Sequence, residues 1–278
     1  MGRVLAVGWA CVDLRFHVAT WPPEGSRTPV TAYREAVGGP AAVASLAVAR
    51  LGGEAALLSR RGEDPWGGWL VAELAALGVR ARFAVGEKTP VSAVVVVPDG
   101  ERYIFPYRGQ LGTALPERWS EEVDGAAVVL ADARWPEAAE EAFVRARQAG
   151  KPRVMDLDSA AADALHLARL ATHVVASEEA ERALGGLEAL EALFPGAFVA
   201  VTRGARGVAW PGGHVEALPL EPKDTTGAGD VFHGAFAWAL ARGWGEVGAL
   251  RVANAVAGLY VARGQVPSWT EVERWMHG

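Results

Sequence analysis

The chain has 278 residues, 51% of them apolar, and a formal net charge of −6, which is material for one large domain, or a domain plus a small appendage, with its own core. The negative balance argues against a nucleic-acid partner, and the lone cysteine, Cys11, excludes an internal disulfide and a cysteine metal cluster. No apolar run reaches a membrane span and no signal peptide precedes the first strand-like run, so a cytoplasmic protein with no membrane partner is expected.

In chain order, short apolar runs alternate with stretches of helical spacing. The predicted order is strand 3–8, helix 40–51, strand 54–59, helix 65–77, strand 126–131, helix 136–149 and strand 153–157. Then follow strand 172–176, helix 178–193, strand 197–202, and helices 228–242 and 246–263. That alternation predicts a parallel sheet covered by helices on both faces. Two segments, 12–36 and 88–108, break the pattern with alternating polar and apolar residues. In the second, Ala93 to Val97 leads to Pro98-Asp99-Gly100, a hairpin signal, and then to Arg102-Tyr103-Ile104-Phe105. These strands are too few for a core of their own, so a small β lid over a single domain, 1–278, is expected.

The densest signal is Asp224-Thr225-Thr226-Gly227-Ala228-Gly229-Asp230, followed by the apolar helical run Val231 to Ala241. Gly227 and Gly229 leave backbone N–H groups uncovered at a helix start, where free amides and the helix dipole favour an anion. Asp230 sits beside that site, where a carboxylate can take a proton from an incoming hydroxyl. A plain helix cap is the simpler alternative for a shorter motif. Two other phosphate motifs are missing. Gly150-Lys151 runs into Pro152 with Arg145 where a P-loop needs glycine, and Phe232 stands where a dinucleotide fingerprint needs its third glycine.

All seven residues together resemble the second signature of the PfkB (ribokinase-like) carbohydrate kinases. The resemblance extends over essentially the whole chain and implies a Rossmann-like three-layer α/β/α body with a small β-sheet lid, often used for dimer contacts. It implies ATP and magnesium as cofactors and a small sugar-like alcohol as substrate. The amides of Gly227, Ala228 and Gly229 would hold the transferring phosphate, and Asp230 would be the base. On the sugar side it implies Asp13, in Gly8-Trp9-Ala10-Cys11-Val12-Asp13, and the pair Gly38-Gly39 leading into helix 40–51; Arg102 is expected in the same pocket beneath the lid. The family's sugar-binding Asn is replaced by Val43, which cannot hydrogen-bond a sugar. On the nucleotide side it implies Thr202, Gly204, Gly207, Thr226 and Asn254, the last beside the adenine. The family's Asn-x-x-Glu becomes Ser177-Glu178-Glu179-Ala180, leaving Glu178, Glu179 or Asp224 as metal candidates, and a monovalent cation is allowed near Asp224.

Ala131-Asp132-Ala133-Arg134-Trp135, Ala146 to Gly150 and Asp230-Val231-Phe232-His233-Gly234 resemble the sulfofructose kinases within that family. Arg134 follows a predicted strand end, where open α/β sheets bind ligands, and its fork could hold an anionic sugar substituent. Pro106 departs from that subgroup, which has Asn there. The expected function is ATP-dependent phosphorylation of a sugar-like alcohol. A nucleoside or inositol kinase and a non-catalytic ligand-binding relative are the alternatives, and retention of Asp230 speaks against the last.

Overall fold

The computed structural model describes residues 2–97 and 102–277. The first half runs β1 (Arg3–Val7), β2 (Cys11–His17), β3 (Ala32–Gly38), α1 (Pro40–Arg50), β4 (Ala55–Gly62), α2 (Pro65–Ala76), β5 (Val79–Gly86), β6 (Val91–Val96) and β7 (Arg102–Tyr107). The middle continues with α3 (Trp119–Gly125), β8 (Ala126–Ala131), α4 (Pro136–Gln148), β9 (Arg153–Leu157), α5 (Ala162–Ala168), β10 (His173–Ser177), α6 (Glu178–Ala183) and α7 (Leu187–Leu193). The remainder is β11 (Phe198–Thr202), β12 (Val208–Trp210), β13 (Gly213–Val215), α8 (Ala228–Ala241), α9 (Glu246–Arg263) and α10 (Trp269–His277).

Among the described residues these form a nine-stranded sheet in the order β13-β12-β11-β10-β9-β8-β1-β4-β5 and a four-stranded sheet in the order β3-β2-β6-β7. The large sheet is parallel from β11 to β5 and antiparallel only at β12 and β13. Side chains of a strand alternate between faces, and β1 shows the result. Val4 and Ala6 pack into one core with Phe236, Trp238 and Leu250, whereas Leu5 and Val7 pack into the other with Trp135, Phe143 and Leu167. Near-continuous apolar strands are what a sheet covered on both faces requires. Helices on both faces of a large, mostly parallel sheet, with a small second sheet beside it, are what the resemblance implies.

Differences from the sequence reading have local causes. The helix expected over 178–193 is two helices, α6 and α7, because Gly185 and Gly186 take φ of 91° and 102° and break the turn. β5, α3, α5, the β12–β13 pair and α10 lie where the sequence predicts no element. The hairpin expected at Pro98-Asp99-Gly100 lies outside the described residues. The lid segments 12–36 and 88–108 supply β2, β3, β6 and β7, with β2 and β6 paired in parallel between two antiparallel edges.

Candidate active site

The turn before α8 separates two cavities. Gly227 is the N-cap of α8 with φ 74°, a left-handed conformation that a side chain would strain. Asp224 stiffens the approach, since its Oδ1 accepts from the Thr226 amide at 2.8 Å and the Thr226 hydroxyl at 2.5 Å. The Tyr260 hydroxyl donates to the Thr226 carbonyl at 2.6 Å. The Ala228 amide closes the turn on the Thr225 carbonyl at 3.2 Å. Among the described residues the Gly227, Gly229 and Asp230 amides have no such partner, so these are donors left at the dipole's positive end.

One cavity, of 270 Å³, is lined by Thr202, Gly204, Gly207, Ala228, Gly229 and Asn254 with a largely apolar remainder that includes Leu218, Phe232 and Val261. β11 delivers Thr202 at its carboxyl end, and the turn Gly204–Arg206 follows at once. Asn254 is placed by its own amide, which donates to the Glu216 carbonyl at 2.7 Å. Apolar walls with a few polar groups suit a base and its ribose. Every nucleotide-side residue expected from the sequence lines this cavity except Thr226, which lines the other.

The second cavity, of 480 Å³, lies between the lid and the body. Asp13, Gly38, Gly39, Val43, Arg102 and Arg134 line it together with Thr226, Gly227 and Asp230. Gly38 is required by Asp13, because a Cβ there would fall 2.3 Å from the Asp13 Oδ1. Burial pushes the Asp13 carboxyl up, and the Arg15 guanidinium, 3.4 Å away, opposes the shift. Val43 Cγ1 would be 3.4 Å from a Cβ on Gly227, so the valine forms an apolar wall against the turn. On the sugar-side placement that the resemblance implies for this cavity, Val43→Ala is expected to raise KM for the sugar on the order of threefold to tenfold through lost apolar contact. Steady-state kinetics should show KM for ATP unchanged; an equal rise in both would remove Val43 from the sugar wall.

Asp230 is only partly exposed and faces this second cavity. Burial, and then the charge of Asp156, push its carboxyl up to about 7, while His233 and Arg134 pull the other way. A carboxyl with that affinity can exchange a proton near neutral pH.

Several groups that build this site are not among the residues expected from the sequence. Asp132, at the end of β8, accepts from the amides of Trp9 (2.8 Å), Ala41 (3.1 Å) and Arg134 (2.8 Å), tying β1, α1 and β8 together. Asp156 and His233 pair at 3.5 Å, and the charges of both act on Asp230. Arg15 on β2 spans Asp13 and Asp224, with its Nη1 3.6 Å from the Asp224 carboxylate. Arg102 on β7 meets the same carboxylate at 3.5 Å and donates to the Thr225 hydroxyl at 2.9 Å. Burial works against the Asp224 charge, but its Thr226 bonds and the two guanidinium groups hold the carboxyl below its usual range.

The metal candidates fare differently. Glu178 is engaged by Arg206 at 2.7 Å and Arg182 at 3.3 Å, and Glu179 is exposed on the first turn of α6. Ser177 caps α6 by accepting from the Ala180 amide at 3.1 Å. Among the described residues no group of three or more His, Cys, Asp or Glu side chains is placed to hold a metal. Arg134 pairs with Asp158, and although burial disfavours its charge, Asp132 and Asp158 hold it firmly protonated.

A family model described as pfkB family carbohydrate kinase matches residues 1–270. The ribokinase of Bacillus subtilis (strain 168) is 30% identical over 290 aligned residues, covering 98% of this chain and 99% of that protein. A ribokinase-like protein of Agrobacterium tumefaciens has a crystal structure that superposes with a TM-score of 0.93 at 32% identity, covering 99% of this chain and 97% of that one. The ribokinase of Thermotoga maritima superposes with a TM-score of 0.86 at 22% identity over the whole of both chains, a likeness of fold.

Proposed function

The chain belongs to the pfkB family of carbohydrate kinases and is an ATP-dependent sugar kinase; we propose that it moves the γ-phosphoryl group across the Thr225–Asp230 turn, from the smaller cavity to a hydroxyl held beneath the lid. The observation that carries this is the shared wall. Thr225, Ala228 and Gly229 face one cavity, and Thr226, Gly227 and Asp230 face the other. Asp230 takes the hydroxyl proton. The Gly227 and Gly229 amides stabilise charge on the transferring group. Asn254 and the 204–207 turn hold the nucleotide, and Asp13 binds sugar hydroxyls. Magnesium bound with ATP neutralises phosphate charge. Glu178 does not fit as its ligand because two arginines already hold it.

Asp224 is also a poor place for a monovalent cation. Two guanidinium groups face its carboxylate, and Tyr260 occupies the neighbouring Thr226 carbonyl. Equal rates are expected in potassium chloride and tetramethylammonium chloride at matched ionic strength. A strong potassium requirement would contradict this reading.

The substrate we favour carries an anionic group, as sulfofructose does. Arg134 supports this because its guanidinium lines the sugar cavity with a fixed charge. Its pairing with Asp158 means an anion must share or displace that partner. A charge-assisted bond contributes about 1.5–3 kcal/mol, so Arg134→Ala should raise KM for an acidic sugar at least about tenfold and barely affect a neutral one. The test is ADP release over a panel of ketohexoses, ribose, nucleosides, inositol, ketodeoxygluconate and sulfofructose, with wild type and variant side by side. Preference for neutral sugars, or equal loss on both kinds, would remove the anionic substrate and leave the sugar kinase.

Exposed Tyr33, Tyr103, Ile104 and Phe105 on β3 and β7 give the lid an apolar edge suited to homodimer contacts. No helix among the described residues is long and apolar enough to cross a membrane, and use of ATP fits a cytoplasmic enzyme.

A further inference from the structure

His233 follows Asp230 by one turn of α8 and is 4% exposed. Its Nδ1 lies 2.6 Å from the Gly229 carbonyl oxygen, and its Nε2 lies 3.2 Å from the Val175 carbonyl oxygen on β10. The same Nε2 is 3.5 Å from Asp156 Oδ1 on β9. All three neighbours are acceptors. A neutral imidazole has one N–H and one bare nitrogen, so either tautomer would set a lone pair against a carbonyl oxygen. Protonation of both nitrogens removes that conflict and supplies a counterion for the buried Asp156.

We propose that His233 is a permanent buried imidazolium paired with Asp156, and that this ion pair is a positioning device that fixes the first turn of α8 and keeps Asp230 able to ionise at neutral pH. The second half of this proposal rests on the reading of Asp230 as the base.

The surrounding charges make the need clear. Asp156 on β9, Asp132 at the end of β8 and Asp158 just after β9 crowd the region around Asp230 with carboxylates, against Arg134 and His233 as cations. α1 contributes only Pro40, Ala41 and Ala44 to the small void at this point, and the β10 contact is the Val175 backbone, so neither element adds a charge there. Burial disfavours the His233 charge, yet Asp156, the two carbonyls and Asp230 together push the imidazole up from its ordinary value. Burial pushes the Asp156 carboxyl up as well, with His233 opposing it. The geometry decides for the ion pair, because sharing a single proton between the two would leave one ring nitrogen bare against a carbonyl. Each end of the imidazolium also grips backbone. One bond holds the Gly229 carbonyl, whose residue also carries an amide of the anion turn, and the other anchors α8 to the central sheet.

Two measurements on the full-length enzyme test this. The first is nitrogen NMR of the 15N-histidine-labelled wild type, with the His233 signals assigned by their loss in His233→Gln. Both ring nitrogens are expected to keep protonated shifts up to at least about pH 8; a single-tautomer pattern at pH 7.5, or titration near the ordinary histidine value, would overturn the proposal. The second is kcat against pH for wild type and His233→Gln, with His233→Asn as a replacement if the first variant does not fold. Loss of a neighbouring opposite charge typically moves a carboxyl by about one to three units, so the acidic limb should move up by about one unit or more. A merely structural role would lower kcat without moving that limb, and an unmoved limb overturns the coupling. If Asp230→Asn instead keeps its kcat, the base assignment fails, and the nitrogen spectra still decide the charge on His233.

Discussion

Replacing Asp230 by Asn is expected to lower kcat by about 10²- to 10⁴-fold, the usual contribution of a positioned general base, while ATP still binds. The substitution keeps size and shape but removes the acceptor that takes the hydroxyl proton. ATP binding survives because Asp230 lines the lid-side cavity and not the one holding Thr202, Gly207 and Asn254. In the wild type the acid limb of kcat should fall below about pH 7, where the raised carboxyl becomes protonated and stops acting as a base. The raised affinity also affects stability. Folded Asp230 binds a proton more tightly than the unfolded chain does. The stability it contributes is therefore complete below pH 3.8 and lost as the pH rises to about 7. Asp230→Asn should thus be at least as heat-stable as wild type at pH 8. Near-normal kcat in this variant would contradict the assignment.

Gly229→Val should also abolish most turnover, by about 10²- to 10³-fold, the cost typical of losing one anion-stabilising donor. A Cβ at Gly229 meets nothing within 4 Å, so the valine fits the fold and stands in the nucleotide cavity across the turn. It would shield the amide that meets the transferring group, so kcat should fall more than KM for ATP rises. Gly227 is the wrong position for this test, because its φ of 74° would make a side chain strain the backbone itself. Thermal unfolding must first show the Gly229 variant folded. An unchanged kcat in that folded variant would reduce the turn to a helix cap.

The sequence carried most of the fold because its strands are apolar runs and its long helices have clear spacing. β8, β9 and α9 fall where the periodicity predicts. β5 escaped because Val79-Arg80-Ala81-Arg82-Phe83 alternates charge with apolar residues, which suits an edge strand and reads as a loop in a parallel protein. Likewise, the residues around the anion turn were legible because glycines and a carboxylate at fixed spacing state a local geometry. What was not legible was set by tertiary contact. Arg15 and Arg102 meet Asp224 only once the lid folds onto the body. His233 gains its acceptors only when α8 docks on β9 and β10. One signal was available: Asp156 interrupts the apolar run Val154-Met155-Leu157, and a carboxylate inside a buried strand needs a partner.

The central claim is that the Thr225–Asp230 turn carries phosphoryl transfer from ATP to a sugar hydroxyl. Phosphorus NMR of ATP, magnesium and an accepted sugar, run at pH 8 with wild type and Asp230→Asn in parallel, tests it most directly. The account predicts a new phosphate monoester signal growing with ADP in the wild type, at least about a hundredfold slower in the variant. Inorganic phosphate as the sole product, or ester formed equally fast by both proteins, would contradict it.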